Sequence, residues 1–510
     1  MDFVMFGDTS HNQLLLELPF PTLRDVCVRK IVQVFESVTE GRNHTEPTSP
    51  KFSYTLGPFS NLDPGGNELV WKHLLKVNKM NTAWLSRLIV PHLRMCSLPA
   101  SLSESLKIVH TICHQLTELS LYQTGLARFP SELVCQVIQQ NPGLQKLRMN
   151  GIFKGNQCID RAISILAYHC PELKVLDISN NSIGDSGLLL DLCGSKDFLG
   201  CPDLQELNLE FVNLEGAETI MVTTLKKLHN LQIFNICGTF LNISEIWEIL
   251  YTERIALDLR ELDLSCLDVT GDVFTHIGSL HPNLQKLNCL DTSFFEGVKE
   301  DLDLPNIHDL AIATANDENS LLRLNNLIVK VGTNLRKLQI GNYCGYPTVT
   351  WNNIVQNCPN LEHLDLSYCK INIPVDDKKA LVLKDYCPKM SMLILNRTEV
   401  QQNKRRAYGC YGLILGACQE LKQLSANSTA MAETDLQNIF SHIVPVYKIQ
   451  ILELTNTDVS VDSIVKVWML APCLEKVTLN GCKRVNSTGY KRLKSLLSIP
   501  QRVQAQIIWE

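Results

Sequence analysis

The sequence predicts an α/β solenoid: a horseshoe of about 14 repeats behind an N-terminal helical region that binds an adaptor or caps the stack. Three observations lead there. A leucine pattern recurs fourteen times at spacings of 23 to 31 residues. Proline-marked entries such as Cys170-Pro-Glu-Leu, Cys201-Pro-Asp-Leu, Cys358-Pro-Asn-Leu and Cys387-Pro-Lys-Met separate the units. And at 510 residues the chain outruns a single core, which stops growing at about 250–300 residues, whereas stacked units have no such ceiling.

Composition narrows the function classes first. The chain is 45% hydrophobic and 20% charged with a net charge of −6, which leaves no electrostatic footprint for nucleic acid or an acidic membrane. No apolar run approaches the length of a bilayer-spanning helix. The start, MDFVMFGDTSHNQ, lacks a basic n-region and apolar core, so a secretory signal is not expected. Nineteen cysteines then read as reduced, mostly buried thiols, and the expected setting is the cytoplasm, the nucleus or both.

Residues 14–37 form the first element. Pro21-Thr22 starts a helix on which Leu23, Cys27 and Ile31 share one stripe and Asp25, Arg29 and Gln33 another. Val26, Val28, Val32, Val34 and Phe35 make most of the remaining circumference apolar, so this helix must be covered on more than one side. Residues 38–67 are rich in Thr, Asn, Ser, Pro and Gly and read as a flexible linker. Residues 68–113 form a helical cap built from ELVWKHLLKV, AWLSRLIVPHL and SESLKIVHTI, since an open solenoid end needs a cover.

Residues 114–510 hold the leucine-rich repeats. The consensus L-x-x-L-x-L-x-x-N/C/T-x-L begins at Leu116, Leu144, Leu173, Leu204, Leu231, Leu259, Leu284, Ile307, Leu335, Leu361, Met390, Leu421, Ile449 and Leu474. Leucines at positions 4 and 6 alternate as a short strand. Asn181, Cys369, Thr398, Thr457 and Cys482 at position 9 can bond the backbone where each coil turns. Proline then stops each preceding helix, and a cysteine beside it is small enough to bury there. Segments such as IGDSGLLLDL and VDSIVKVWML read as the helical returns, with Asp or Ser as caps. Two stretches break the period: 294–326, with an acidic GVKEDLDLP and a polar ATANDENS, and 400–412, a basic loop QQNKRRAYGCYG.

Side chains at repeat positions 2, 3, 5, 7 and 8 point off the strand face. They form a mixed polar surface of Arg148, Asp177, Asn208, Asp263, Asn288, Gln339, Asp365 and Thr478. Tyr122, Arg148, Glu210, Phe211, Tyr368 and Arg397 are the candidate partner-binding groups, because aromatic and Arg side chains on a rigid surface anchor protein interfaces. No P-loop, dinucleotide fingerprint, HExxH or GxSxG is present, and no C-x-x-C pair has zinc spacing. No catalytic residue, metal ligand or cofactor is therefore assigned, and the chain reads as a binding protein.

The repeats resemble the cysteine-containing class of leucine-rich repeats in F-box and related ubiquitin-ligase receptors. Thr22-Leu23-x-x-x-Cys27-x-x-x-Ile31 is similar to the BC-box of elongin-binding receptors. A box, a few helices and then repeats together resemble the Zyg-type receptors of cullin-2 ligases. That resemblance implies that Thr22, Leu23, Cys27 and Ile31 seat in elongin C, a helix-in-groove mode. It further implies an elongin B–C and cullin-RING module as partner, with the repeats holding a protein substrate. The cullin-selecting box fits both Leu98-Pro99-Ala100-Ser101-Leu102 and Phe129-Pro130. Two alternatives stay open: an F-box beginning at Leu18-Pro19 that docks a Skp-type adaptor, and an interaction scaffold with a self-contained N-terminal cap.

Overall fold

The computed structural model describes Lys30 and residues 64–292 and 304–509, apart from 77–84, 86–87, 126, 154–155, 270, 315–316, 342–345, 374–386, 403–404, 407–410, 417, 419, 432–435, 437–447 and 498–505. Two compact units divide the chain, Met1–Ile152 and Phe153–Glu510.

In the first unit a helix, Pro64–Lys76, precedes three parallel strands: β1 (Met95–Pro99), β2 (Glu118–Tyr122) and β3 (Lys146–Asn150). Leu98, Leu121 and Met149 stand in one register row and are buried. β1 lies at the end of the strand order, and the Pro64–Lys76 helix reaches it through one side chain. Trp71 is fully buried there and donates through Nε1 to the Ser97 carbonyl at 3.2 Å. An exposed sheet edge invites further pairing, and Trp71 occupies one acceptor of this strand.

The stretch 68–113, expected to be helical throughout, differs from that expectation by containing β1. The physical reason lies in its spacing. Leu93, Cys96 and Leu98 occupy repeat positions 1, 4 and 6 and are buried, as in every later coil, so one more repeat precedes the fourteen. Between β1 and β2 run a 3-10 turn, Ala100–Ser105, and a short helix, Leu106–Ile112.

The second unit is a parallel sheet with helices on its return segments. Its strands are β4 (Val175–Asp177), β5 (Glu206–Asn208), β6 (Ile233–Asn235), β7 (Glu261–Asp263), β8 (Lys286–Cys289), β9 (Asp309–Ala313) and β10 (Lys337–Gly341). Past the interposed β11 (Thr348–Thr350), the same sheet continues through β12 (His363–Asp365). A further interposed strand, β13 (Lys370–Ile373), precedes β14 (Met392–Ile394); β15 (Glu399–Gln402) and β16 (Arg405–Arg406) precede β17 (Gln423–Ser425). β18 (Ile451–Glu453), β19 (Lys476–Thr478) and β20 (Gln506–Ile508) complete the ladder. β11, β13, β15 and β16 form a second, four-stranded sheet. Each of the fourteen repeats read from the sequence carries one strand of the parallel ladders, and the chain is an α/β leucine-rich repeat solenoid.

Register follows from side-chain alternation. Leu176, Leu207, Phe234, Leu262 and Leu287 at position 4 are paired along the sheet and buried, and position 6 is buried behind them. One further column closes the turn inside each coil, and two more stitch coil to coil. At position 9, Thr398 and Thr457 donate from Oγ1 to the carbonyls of Leu395 and Leu454 at 2.8 and 2.6 Å. Asn181 donates from Nδ2 to Ile178 O at 2.9 Å. At the proline entries, Cys201 and Cys387 direct their thiols at the carbonyls of Cys170 and Cys358, the matching residues one coil earlier. His281 takes the same place and bonds Leu257 O through Nδ1 at 3.0 Å; burial holds its pKa below the usual histidine value. One residue before each repeat, Asn306 and Asn334 donate to the carbonyls of Pro282 and Pro305 at 2.9 and 2.8 Å.

The two period-breaking stretches hold regular structure in their described parts. Within 294–326, β9 forms at the degraded copy, and Asp317 caps the helix Glu318–Val331 by accepting the Ser320 N–H at 2.9 Å. Within 400–412, the expected loop contains β15 and β16 paired antiparallel, Gln401 opposite Arg406. Asp185 caps the 3-10 helix Ser186–Cys193 and Ser460 caps Val461–Leu470.

Candidate functional site

The outward strand positions divide into those the fold consumes and those it leaves on display. At position 3, opposite charges face each other across the ladder: Lys146 with Glu118 at 2.8 Å, Lys286 with Glu261 at 2.7 Å, Lys337 with Asp309 at 3.5 Å. These are half-exposed pairs of small energetic weight, and they set cross-strand neighbours more than they recruit a partner.

Position 5, read from the sequence as a mixed polar surface, also has a structural role. Asp177, Asn208, Asn235, Asp263, Asn288 and Asp365 each accept, through Oδ1, the N–H of the residue two positions on, at 2.8 to 3.2 Å. This is an Asx turn; it ends each strand and aims the chain into the next bend. Desolvation raises the carboxyl pKa of Asp263 and Asp365 above the usual aspartate range, against the hydrogen bonds of Ser265 and Ser367 that lower it.

Position 8 is different. Asn180, Phe211, Cys266, Asp291, Tyr368, Arg397, Ser428 and Asn456 all adopt positive φ, between 53 and 63°, and glycine stands there at Gly151, Gly238 and Gly481. The cause is the ladder itself. The N–H groups of Phe211, Tyr368 and Arg397 reach the carbonyls of Cys237, Asn396 and Asn427 in the next coil at 2.8, 2.9 and 2.8 Å, which a left-handed residue allows. A non-glycine residue costs about 1–2 kcal/mol in that conformation. Three of the six candidate partner-binding residues, Phe211, Tyr368 and Arg397, sit at this position.

Phe211 is 51% exposed, with its ring over Gly238, where an added Cβ would lie 2.5 Å from Phe211 Cδ1. Glu210 beside it is half-buried; its N–H donates to Asn208 Oδ1 at 3.0 Å. Tyr368 is half-buried under Arg397, whose Cζ lies 5.4 Å from the ring centroid, a cation–π contact. The Phe211 and Tyr368 coils are six repeats apart, roughly 29 Å at the strand spacing of a sheet, so they are separate clusters. In the first unit Tyr122 ends β2 opposite Asn150, and Arg148 stands opposite Ser120. Both are half-buried, and burial raises the Tyr122 phenol pKa.

Thr22, Leu23, Cys27 and Ile31 lie outside the described residues; their neighbour Lys30 is helical and exposed. Two aromatics missed in the sequence belong to the displayed set. Phe240 is 71% exposed at φ 61°, and Tyr346 is 43% exposed with its ring centroid 6.2 Å from that of Tyr368. Their signal was faint, because Phe240 stands at position 10, past the strand, and Tyr346 lies outside the strand motif.

A hollow of 530 Å³ is lined by Asp258, Arg260, Asn283, Gln285, Asn306 and His308. Its polar lining contrasts with the apolar pockets that hold small molecules. Among the described residues no group of three His, Cys, Asp or Glu side chains is placed to hold a metal, and no helix is long and apolar enough to cross a membrane. The arrangement offers surface for a macromolecule.

Comparison with known proteins agrees on the repeat. The family profile described as Leucine Rich repeat matches residues 169–190 and 357–372, around β4 and β12. No curated protein sequence matches the chain. The crystal structure of the Rad7 and Elc1 complex in yeast aligns over 96% of this chain and 98% of that chain, at 13% identity and a TM-score of 0.40. A leucine-rich repeat protein of Leptospira interrogans aligns over 84% and 92%, at 15% identity and a TM-score of 0.38. Mouse RP105/MD-1 aligns over 79% and 74%, at 14% identity and 0.34. Likeness at this level adds nothing to the surface just described.

Proposed function

We propose that the chain is the non-catalytic substrate-recognition subunit of a cullin-RING ubiquitin ligase. On this reading residues 14–37 carry Thr22, Leu23, Cys27 and Ile31 into elongin C of an elongin B–C pair, the segment up to the Pro64–Lys76 helix tethers them, and the repeats hold a target protein. Its contribution to catalysis is proximity, supplied to another protein's chemistry. It acts in the cytoplasm, the nucleus or both.

The observation that carries the reading is the stripe of Leu23, Cys27 and Ile31, with further apolar residues around the same helical turn pattern. A helix of that kind needs cover on more than one side, and a groove in a partner supplies one of them. The exposed aromatic and Arg groups at position 8 supply the other half, a rigid surface with interface anchors.

Co-purification with elongin B–C tests it, wild type against a Leu23→Ala/Cys27→Ala double variant whose fold is checked by circular dichroism. Stoichiometric capture by the wild type, lost in the folded variant, is the expected result. Failure of the wild type to capture elongin B–C contradicts it and turns the assignment to a Skp-type adaptor or to an interaction scaffold.

A further inference from the structure

The elbow where the main sheet of the second unit gives way to its small sheet carries three large side chains in register. β11, β13 and β15 each begin two residues after one of them: Tyr346 before Thr348, Tyr368 before Lys370, Arg397 before Glu399. Thr348 pairs with Lys370, and Lys370 with Glu399, so the three residues are successive rungs. The side chains keep that order, with Tyr346 and Tyr368 centroids 6.2 Å apart and Arg397 Cζ 5.4 Å from the Tyr368 centroid.

Arg397 is the chemically pointed member. It is exposed, and among the described residues its guanidinium meets the Tyr368 ring with no carboxylate in reach. A guanidinium laid on an aromatic ring keeps its N–H fork for a second partner, and that fork matches a carboxylate bidentately. The ring also limits the rotamers Arg397 must give up on binding, which lowers the entropic cost of contact.

The charged residues in the sequence that follows it are mostly basic. Residues 397–406, RTEVQQNKRR, hold four cations against one carboxylate in a chain whose net charge is −6. That carboxylate, Glu399, accepts from Gln401 Nε2 at 3.3 Å. The β15–β16 pairing returns Arg405 and Arg406 alongside Gln402 and Gln401, on the small sheet that Arg397 leads into.

We propose that this elbow binds an acidic, extended segment of a target protein, with one carboxylate on Arg397 and neighbouring residues on Tyr368 and Tyr346. The inference rests on the target-binding half of the reading above and is independent of the adaptor. A nucleic-acid strand fits less well. Phosphate tracking needs cations in series along the strand's path, whereas the three side chains in register offer one guanidinium beside two neutral rings.

The test is fluorescence anisotropy on the full chain with three labelled probes: a peptide of Asp, Glu and Leu, its counterpart with Lys for the acids, and a single-stranded oligouridine. The expected result is saturable, salt-sensitive binding of the acidic peptide alone. Arg397→Glu should weaken it by about tenfold or more, and Arg397→Lys by less, because Lys keeps the charge and loses the fork. Lys196→Glu, the same charge change at an exposed site elsewhere, should leave it within about twofold. No binding of the acidic peptide by the wild type overturns the proposal. So does equal binding by a folded Arg397→Glu variant, or oligouridine binding with the same Arg397 dependence. Elongin capture by the same variants reads the adaptor separately, so failure of one assignment leaves the other legible.

Discussion

Ser367 gives Asp365 both its backbone N–H, at 2.8 Å, and its hydroxyl, at 2.6 Å. The same double contact joins Ser179 to Asp177 and Ser265 to Asp263. The carboxylates that look like a display of charge in the sequence are turn-formers, and their substitution should be felt in stability. Asp365→Ala strands the Ser367 N–H and should cost about 1–3 kcal/mol, read from urea unfolding.

The pH dependence has a sign that sets Asp365 apart from an ordinary aspartate. Burial raises its pKa in the fold, and Ser367 and Lys337 only partly oppose this. A raised carboxyl contributes stability that is present below the unfolded pKa and is lost as the pH climbs through the folded one. Asp365→Asn keeps the acceptor, as Asn208, Asn235 and Asn288 do in their coils, and removes the charge. The variant should therefore gain on the wild type as the pH rises from the usual aspartate range to neutrality. Urea midpoints at several pH values check this; a constant difference, or one that shrinks with rising pH, counts against it.

The entry-column thiols give a reactivity prediction. Burial lifts Cys113, Cys170, Cys201, Cys358 and Cys387 to about 12, and only a thiolate attacks an alkylating agent readily. Among the described cysteines Cys266 and Cys473 are exposed and Cys193 half-buried. Brief iodoacetamide treatment of the native chain, followed by peptide mass spectrometry, should mark Cys266 and Cys473 first and leave the five column thiols intact until unfolding. Early labelling of Cys170 or Cys358 would show that the column opens.

Much of this architecture was legible because a repeat announces itself many times over. Position 4 and 6 leucines, position 9 hydroxyls and thiols, and the proline entries each recur often enough to fix a register, and every expected strand formed. Single occurrences hid the rest. Leu93, Cys96 and Leu98 carried a repeat that a stretch of helix formers around them masked, and β15 and β16 lie in a polar, basic run with no hydrophobic alternation. The position 8 conformation was invisible, since Asn180, Phe211, Tyr368 and Arg397 share no side-chain chemistry; the common cause is a backbone bond to the next coil. The turn-forming role of position 5 was hidden as well, because an Asx turn and a solvent-facing polar residue look alike in one dimension.

Gly332 tests the packing between coils. A Cβ there would lie 2.4 Å from Ile328 O, 2.6 Å from Asn357 O and 2.9 Å from Cys358 Sγ. Two of the three are backbone atoms that cannot swing aside, so Gly332→Ala should lose about 2–3 kcal/mol, at the upper end for overpacking. Gly143 has open space around its Cβ and no positive φ, so Gly143→Ala should be neutral or slightly stabilising. Thermal unfolding of the two variants side by side reads the contrast.

The central claim is that the large side chains at position 8 are held on the surface at a backbone cost and are not needed for the fold. Phe211, at φ 54° and half exposed, tests it most directly through the stabilities of Phe211→Ala and Phe211→Gly. Alanine removes the ring and keeps the left-handed cost, whereas glycine removes both. The account predicts a folded alanine variant and a glycine variant more stable than it by about 1 kcal/mol. A loss of about 3 kcal/mol or more in both variants, as for a core phenylalanine, would make Phe211 a packing residue and contradict the claim.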